Sequence, residues 1–269
     1  MRLLMFCWKD DEAGNNIYNN LMNLFDWKKL KKTFDGEPVF LMENDFGEFF
    51  LTKTKDFFYE QWERYDSLIE TVFPDVDVVV SLVRHVGNSG PLLTLHALGN
   101  FESLKLSPAP PKLMKGLILR LNEFKQELNL EQFEVMQEVT HGYGVELAKP
   151  IIDLEIGTSS LDHRNNDAGK AIALAVGNLQ IKNSWKVGLG MGGLHYAYKF
   201  LEVNLKSDVA VGHILPSSKM HLLNEGVFSK LLNKTVGRVE AVIVDKKEKG
   251  MYKRMIKSFC EKWKIEFFT

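Results

Sequence analysis

Val76-Asp77-Val78-Val79-Val80-Ser81-Leu82-Val83-Arg84-His85-Val86-Gly87-Asn88-Ser89-Gly90-Pro91-Leu92-Leu93-Thr94-Leu95-His96-Ala97-Leu98-Gly99-Asn100 is the stretch that carries most information on fold class. Two apolar segments, 76–83 and 92–97, flank a turn rich in Gly, Asn, Ser and Pro, and both are apolar at nearly every position. Strands of that kind are buried on both faces, as in a sheet covered by helices on either side. The turn between them is too short for a helical crossover, so the two are expected to pair antiparallel. Phe133 to Thr140 and Ile151 to Ile156 pose the same case and carry the same expectation.

Outward from there, similar apolar segments recur at Arg2 to Trp8, Val39 to Met42, Trp185 to Leu189, Val209 to Ile214, Val239 to Val244 and Ile265 to Phe268. Helical patterns lie between them. Leu113, Leu117, Leu121, Phe124 and Leu128 form one stripe behind Pro110-Pro111; Ala168, Ile172, Ala175 and Leu179 form a second. Met251, Met255, Phe259 and Trp263 form a third within Lys247 to Trp263. The alternation predicts a layered α/β/α fold with a mixed, largely parallel central sheet. No linker interrupts it, so residues 1–269 are expected to form a single compact domain, with 43–71 as a divergent helical or hairpin element.

Composition narrows the function classes. With 45% hydrophobic and 26% charged residues, the chain lies far from disordered compositions. Lys and Arg total 34 against 35 Asp and Glu, a formal net charge of −1. That balance argues against a protein that coats duplex nucleic acid, and leaves room only for a local basic face. Cys7 and Cys260 stand apart with no Cys/His cluster, which excludes a disulfide scaffold and a Cys-ligated structural zinc. The N-terminal apolar stretch is too short and charged too early for a signal peptide. No run reaches the ~18 apolar residues of a membrane span, so a cytoplasmic location is expected.

Three clusters fall at predicted strand ends, where open α/β sheets place their sites. In the first, Arg84-His85 enters the Gly87-Asn88-Ser89-Gly90 turn, and the next strand delivers His96 and then Gly99-Asn100. Two imidazoles and a guanidinium suit a polar substrate; the plain alternative is a turn whose Gly and Asn serve backbone geometry alone. The second joins Glu138-Val139-Thr140-His141-Gly142 to Leu154-Glu155-Ile156-Gly157. Glu155 ends an apolar strand, where an unpaired carboxylate is costly to bury; beside a histidine it can orient the ring, act as general base or ligate a metal. Thr158 to Asp162 read as the cap of the following helix. The third, Gly188 to Tyr196, is the densest in glycine. It fails the G-x-G-x-x-G spacing and lacks a following Gly-Lys-Ser/Thr, but a flexible backbone beside His195 and Tyr196 suits an oxyanion. His213 is a further candidate, whereas His163 and His221 read as surface residues. Neither Ser89 nor Ser184 sits in a G-x-S-x-G elbow, so a covalent acyl-enzyme route is unsupported.

Taken in chain order, the motifs resemble the D-aminoacyl-tRNA deacylase family of the archaeal and plant type. The residues concerned are Arg84-His85, Leu93-Thr94-Leu95-His96 with Gly99-Asn100, Glu138-Val139-Thr140-His141-Gly142, Leu154-Glu155-Ile156-Gly157, Gly190-Met191-Gly192-Gly193-Leu194-His195-Tyr196 and Val211-Gly212-His213-Ile214. Asp11 to Ile17 resembles the family's first strand-to-helix turn. The likeness spans nearly the whole chain and is strongest from about Val78 to Met220. The chain departs from it at His141-Gly142-Tyr143-Gly144, where the family has two adjacent histidines and Gly-Pro. It departs again at Ser160 to His163, which replaces an acidic run and a tryptophan, and at Tyr198, which replaces a proline.

The resemblance implies a cytoplasmic hydrolase that cleaves the ester between a D-amino acid and the terminal ribose of tRNA. It further implies zinc dependence and an α/β layout like that of peptidyl-tRNA hydrolases and nucleoside phosphorylases. The partners would be the aminoacyl-tRNA acceptor end and the D-amino acid moiety, with no membrane and no obligate protein partner. Under it, Glu155, His141 and His195 are the catalytic candidates. Arg84, His85, Asn100, Gly190, Gly192, Gly193 and Tyr196 are the substrate-binding candidates, and His85, His96, His141 and Glu155 the zinc ligands. Zinc would bring the pKa of bound water toward ~7. A histidine or glutamate base without metal would contribute roughly 10²- to 10⁴-fold. RNA contact would fall to Lys112, Lys115, Arg120 and Lys125 or to the set Lys246, Lys247, Lys249, Lys253, Arg254 and Lys257, although solvated helix faces look the same. Two other readings fit: a related hydrolase or nucleoside-processing enzyme on this scaffold, and a non-catalytic RNA 3′-end binding protein.

Overall fold

The computed structural model describes residues 1–269, which divide into two compact units. Met1–Leu95, Leu119–Val135 and Leu147–Gln180 make the first; His96–Ile118, Met136–Glu146 and Ile181–Thr269 make the second. The chain begins with β1 (Arg2–Trp8), α1 (Glu12–Leu24), β2 (Lys28–Phe34), β3 (Glu37–Asn44), β4 (Gly47–Thr54) and α2 (Trp62–Val72). It continues through β5 (Val78–Arg84), β6 (Leu92–Ala97), β7 (Gly99–Asn100), β8 (Lys105–Leu106), α3 (Pro111–Glu127), β9 (Glu134–Gln137) and β10 (Ile151–Gly157). There follow α4 (Ser160–His163), α5 (Asn166–Gly177), β11 (Lys186–Met191), α6 (Tyr198–Lys206) and β12 (Val209–Leu215). The last elements are α7 (Glu225–Asn233), β13 (Val239–Val244), α8 (Gly250–Trp263) and β14 (Glu266–Phe268).

In the first unit the strand order is β2-β3-β4-β1-β5-β10, continued by the first-unit parts of β6 and β9. β4, β1, β5 and β10 are parallel, with Leu4 paired to Phe50 and Val79, and Asp153 to Ser81. The β2-β3-β4 edge is antiparallel. The predicted mixed, largely parallel sheet is present, but the two expected hairpins are not. β10 lies between β5 and β6, and β6 lies between β10 and β9. The reason is reach: an extended residue covers about 3.3 Å and neighbouring strands sit about 4.8 Å apart, so even a short loop can step over one strand.

Close helix packing on one face of this sheet depends on Gly14. Its N–H is accepted by the Asp11 carboxylate that caps α1, at 2.7 Å. A Cβ there would stand 2.4 Å from Leu82 O and 2.8 Å from Cys7 Cβ, so only glycine lets α1 lie against β1 and β5. The opposite face carries an aromatic cluster of Phe6, Phe34, Phe58, Tyr65 and Phe73. Residues 43–71 supply Phe58 and Tyr65 of it and join the unit through β4, which pairs with β1, and α2, which buries Tyr65 and Ile69.

The second unit is built on a parallel sheet ordered β12-β11-β13-β14, with β7 and β8 as a small antiparallel pair. Val187, Leu189 and Met191 of β11 join one core with Phe228 of α7 and with Ile256 and Cys260 of α8. The other face packs Phe200 of α6 with Val211, Ile214 and Ile243. β11 leads through α6 to β12 on its one side, while β13 leads through α8 to β14 on the other. The loops after β11 and β13 therefore part in opposite directions, which opens a crevice at the strand ends.

Gly188 and Gly190 lie within β11, not in a flexible loop. A Cβ at Gly190 would stand 2.8 Å from Ile214 and 3.0 Å from the Phe200 ring. Gly190 thus lets Phe200 of α6 sit close on the sheet, while Gly188 makes room for Val209 and Ile243 of the neighbouring strands. Only Gly192 and Gly193, with φ of +96° and +83°, form the turn that follows.

Candidate active site

The segment after β9 threads past the ends of β11 and β12. Val139 N–H donates to His195 O and Thr140 N–H to Ile214 O, each at 3.0 Å, and Glu138 forms an isolated bridge with Tyr196. These backbone bonds determine where three polar side chains meet. The Glu138 side chain is 0% exposed, and its Oε2 lies 2.7 Å from His195 Nε2 and 3.7 Å from His141 Nε2. The His141 ring stacks on His96 at 3.8 Å between centroids, and His195 lies 4.7 Å from His141 on the same scale. His141 and His195 border a cavity of about 480 Å³ with Asn100, Thr140, Gly193 and Ser217.

The donor set is chemically suited to a divalent cation. His141 Nδ1 lies 2.8 Å from Val139 O, which fixes its proton there and turns the Nε2 lone pair toward the Glu138 carboxylate. A lone pair facing an anion is relieved by a shared proton or a metal ion. Ligand atoms of Glu138, His141 and His195 all lie within 4.8 Å of one another, and one carboxylate with two imidazoles is a common catalytic zinc set.

His213 on β12 holds this cluster from behind. Its Nδ1 accepts from the Thr140 hydroxyl at 3.0 Å, and its Nε2–H is shared by Ser107 O and Lys234 O, each at 3.0 Å. Thr140 Oγ1 in turn accepts Ile214 N–H at 3.0 Å. His213 is thus a buried positioning residue and does not border the cavity. Burial pushes its imidazole from 6.5 down to about 4, so the ring is neutral at pH 7. Between those two values an unfolded chain takes up a proton that the folded one refuses. Stability is expected to be whole above pH 6.5 and to fall by about 3 kcal/mol as pH drops to 4. Urea midpoints across this range test the effect, and His213→Gln should flatten the dependence.

The glycine turn contributes less backbone than its composition suggests. Gly190 belongs to the ladder of β11, and Gly192 N–H donates to Leu215 O at 2.8 Å. Of the three glycines singled out, only the Gly193 amide lies outside the sheet, and Gly193 borders the cavity. Asn100 also borders it, but its Oδ1 accepts the Ser103 N–H at 2.9 Å and so closes its own turn. Tyr196 meets His195 edge-on at 5.1 Å and lines a second cavity of about 270 Å³.

The first unit gathers its own polar cluster. Glu155 Oε2 accepts from the Thr94 hydroxyl at 2.8 Å and lies 3.0 Å from His85 Nδ1, and all three residues are buried. A Cβ at Gly157 would stand 2.5 Å from His85 Cβ, so the glycine of the Glu-Ile-Gly motif makes room for that imidazole. His163, expected at the surface, is buried with its Nε2 3.1 Å from His85 O. It was misread because its neighbours in sequence are polar, whereas its burial is set by packing beneath the turn. Arg84 stands apart from these groups, half-exposed, with Nε 3.8 Å from Asp11 Oδ2, on an open cavity lined by Trp8, Lys55 and Gln61. The capping reading of 158–162 holds: Ser159 and Asp162 form a reciprocal capping box.

Sequence reasoning gave Glu138 no chemical role, and the structure makes it the carboxylate that addresses both His141 and His195. Its one signal was its place three residues before His141 in a motif already singled out. Thr94, the partner of Glu155, gave none beyond its neighbourhood.

A buried carboxylate met by two imidazoles at a cavity over parallel strand ends defines an α/β protein equipped to activate water. A family model described as D-aminoacyl-tRNA deacylase matches residues 72–268, and the chain belongs to that family. The D-aminoacyl-tRNA deacylase of Thermococcus kodakarensis is 32% identical over 272 residues, 96% of this chain and 96% of the relative. That of Archaeoglobus fulgidus is 27% identical over 260 residues, 91% of this chain and 87% of the relative. A solved structure described only as a conserved protein of unknown function aligns with a TM-score of 0.85 at 23% identity, covering 99% of this chain and 94% of that one. The last comparison bears on fold alone. No helix is long and apolar enough to cross a membrane.

Proposed function

We propose that this chain hydrolyses the ester of D-aminoacyl-tRNA to free D-amino acid and tRNA, in the cytoplasm where that substrate is found. The observation that carries the assignment is the 2.7 Å approach of His195 Nε2 to the buried Glu138 carboxylate beside the 480 Å³ cavity.

In this reading the Glu138 carboxylate, 2.7 Å from His195 Nε2, holds the ring proton on that nitrogen by charge and leaves a lone pair on Nδ1. Being 49% exposed, the ring can reach a water at the cavity mouth. The water oxygen adds to the ester carbonyl carbon while Nδ1 takes its proton, and Glu138 stabilises the imidazolium that results. Collapse breaks the bond between carbonyl carbon and ribose oxygen, and the proton passes from Nδ1 to that oxygen. The Gly193 amide is the proposed donor to the developing oxyanion, at a turn where φ of +83° calls for glycine. As an alternative to this relay, with His195 Nε2 unprotonated, Glu138, His141 and His195 would hold a zinc ion, which when bound would lower the pKa of water and polarise the carbonyl. Glu155, held by His85 and Thr94, is proposed as a second carboxylate for water or substrate, and Arg84 as a phosphate contact.

The test is release of amino acid from D- and L-aminoacyl-tRNA with and without chelator. D-aminoacyl-tRNA is expected to turn over and the L form to be spared. Chelation should cut the rate at least tenfold, with zinc restoring it. No turnover of any D-aminoacyl-tRNA by folded protein would defeat the assignment, and RNA binding without turnover would make the chain a 3′-end binding protein. A rate indifferent to chelator would remove zinc and leave the proton relay. Full activity of Glu155→Gln would remove the second carboxylate alone.

A further inference from the structure

We propose that the crevice between the ends of β11 and β13 seats the 3′-terminal adenine of the RNA, with Tyr198 as its stacking platform and Asp245 reading its exocyclic amine. The inference rests on the functional reading above and adds how the substrate is gripped beside the reacting ester.

The crevice is where the topology opens the sheet. α6 packs on one face and α8 on the other, so the turn after β11 and the turn after β13 diverge around it. Ligands of parallel α/β sheets bind at such points. Here the space is a cavity of about 270 Å³ lined by Tyr196, Tyr198, Phe200, Asp245, Lys199 and Lys247. It meets the cavity of the candidate active site along a common rim of Gly193, Leu194 and Ser217. Tyr196 lines the second cavity, and its ring stands edge-on, at 5.1 Å, to His195, which lines the first. A base in one chamber and an ester in the other is the separation that a single aminoacylated nucleoside requires.

The lining has the chemistry of a base seat. Tyr198 opens α6 and is 60% exposed, so its ring is kept on the surface of the cavity instead of in a core. An exposed aromatic face of that kind takes any base by stacking. Selection comes from Asp245. Its Oδ1 accepts Lys247 N–H at 2.7 Å, while Oδ2 points toward Gly193, where a Cβ would stand 3.7 Å away. A carboxylate oxygen only accepts, so it favours a base presenting an amine, as adenine does and hypoxanthine does not. Lys199 and Lys247 supply the positive charge that the adjoining phosphate needs.

The test uses a 5′-fluorescein-labelled short RNA ending in CCA, and the same RNA ending in inosine or in an abasic nucleotide, with affinities read by anisotropy at constant salt. Wild type is expected to lose about tenfold or more on going to the abasic end. Tyr198→Phe should keep that discrimination and Tyr198→Ala should abolish it. Inosine should bind wild type about tenfold more weakly than adenosine, and Asp245→Asn, which turns an acceptor into a donor, should remove or invert the preference. With D-aminoacyl-tRNA, Tyr198→Ala should raise KM about tenfold while kcat stays within about threefold. Equal binding of all three RNAs to wild type, or unchanged discrimination in both variants, would overturn the proposal. Discrimination without ester hydrolysis would uphold the seat and defeat the deacylase reading. Hydrolysis with KM unmoved by Tyr198→Ala would do the reverse.

Discussion

Glu138→Gln is expected to lower kcat/KM for D-aminoacyl-tRNA by about 100-fold or more while leaving the protein folded. The substitution keeps the size and shape of the side chain and removes only its charge. In the folded chain that charge is fully buried and lies 2.7 Å from one imidazole and 3.7 Å from another. A glutamine amide cannot stabilise an imidazolium on His195, and it is a poor ligand for a divalent cation, so both the proton relay and a bound metal suffer. Removing a buried charge also relieves desolvation, so thermal stability should be unchanged or raised. His195→Ala should cost a similar factor, and the double variant little more than either single one, because the two groups act as a unit. Activity of Glu138→Gln within about threefold of wild type, with an unaltered circular dichroism spectrum, would show that the chemistry lies elsewhere.

Phe200→Ala is expected to destabilise the second unit by about 3–5 kcal/mol and to impair catalysis even in the fraction that stays folded. Phe200 is 0% exposed, and its ring packs with Val211, Ile214 and Ile243. The same ring lies 3.0 Å from the Cβ position of Gly190 and 3.4 Å from that of Gly193. Truncation removes the floor beneath the glycine turn and leaves a hole that strand glycines have no side chains to fill. Phe200→Leu, which keeps much of the volume, should cost less in both respects. Urea unfolding measures the first effect, and initial rates well below the unfolding transition measure the second. A Phe200→Ala protein as stable as wild type would mean that α6 does not anchor that turn.

Much of the architecture was legible in the residues. Val/Ile-rich segments such as Val209 to Ile214 and Val239 to Val244 are strands because their pattern is apolar on both faces, a property of local sequence. β2 escaped that reading because Lys28, Lys29, Lys31 and Lys32 make it look like a loop. An edge strand facing water can be this polar, and charge there protects it from pairing with other chains. The strand neighbours were also misjudged: loop length bounds which strands can pair without choosing among them, and β10 takes the place beside β5 that β6 was expected to fill.

Cluster by cluster, the sequence by itself determined the family likeness and the residue types at the site: His85, His96, His141, His195 and Glu155 all fall in motifs at strand ends. Tertiary structure alone decided which carboxylate serves which imidazole. Glu138 reaches His141 and His195, whereas Glu155 binds His85 and Thr94. It also divided the glycines, assigning Gly190 to close helix packing and leaving Gly193 for the turn. The physical reason is range: periodicity and turn chemistry are local, while a 2.7 Å contact between the side chains of residues 138 and 195 depends on how distant segments pack.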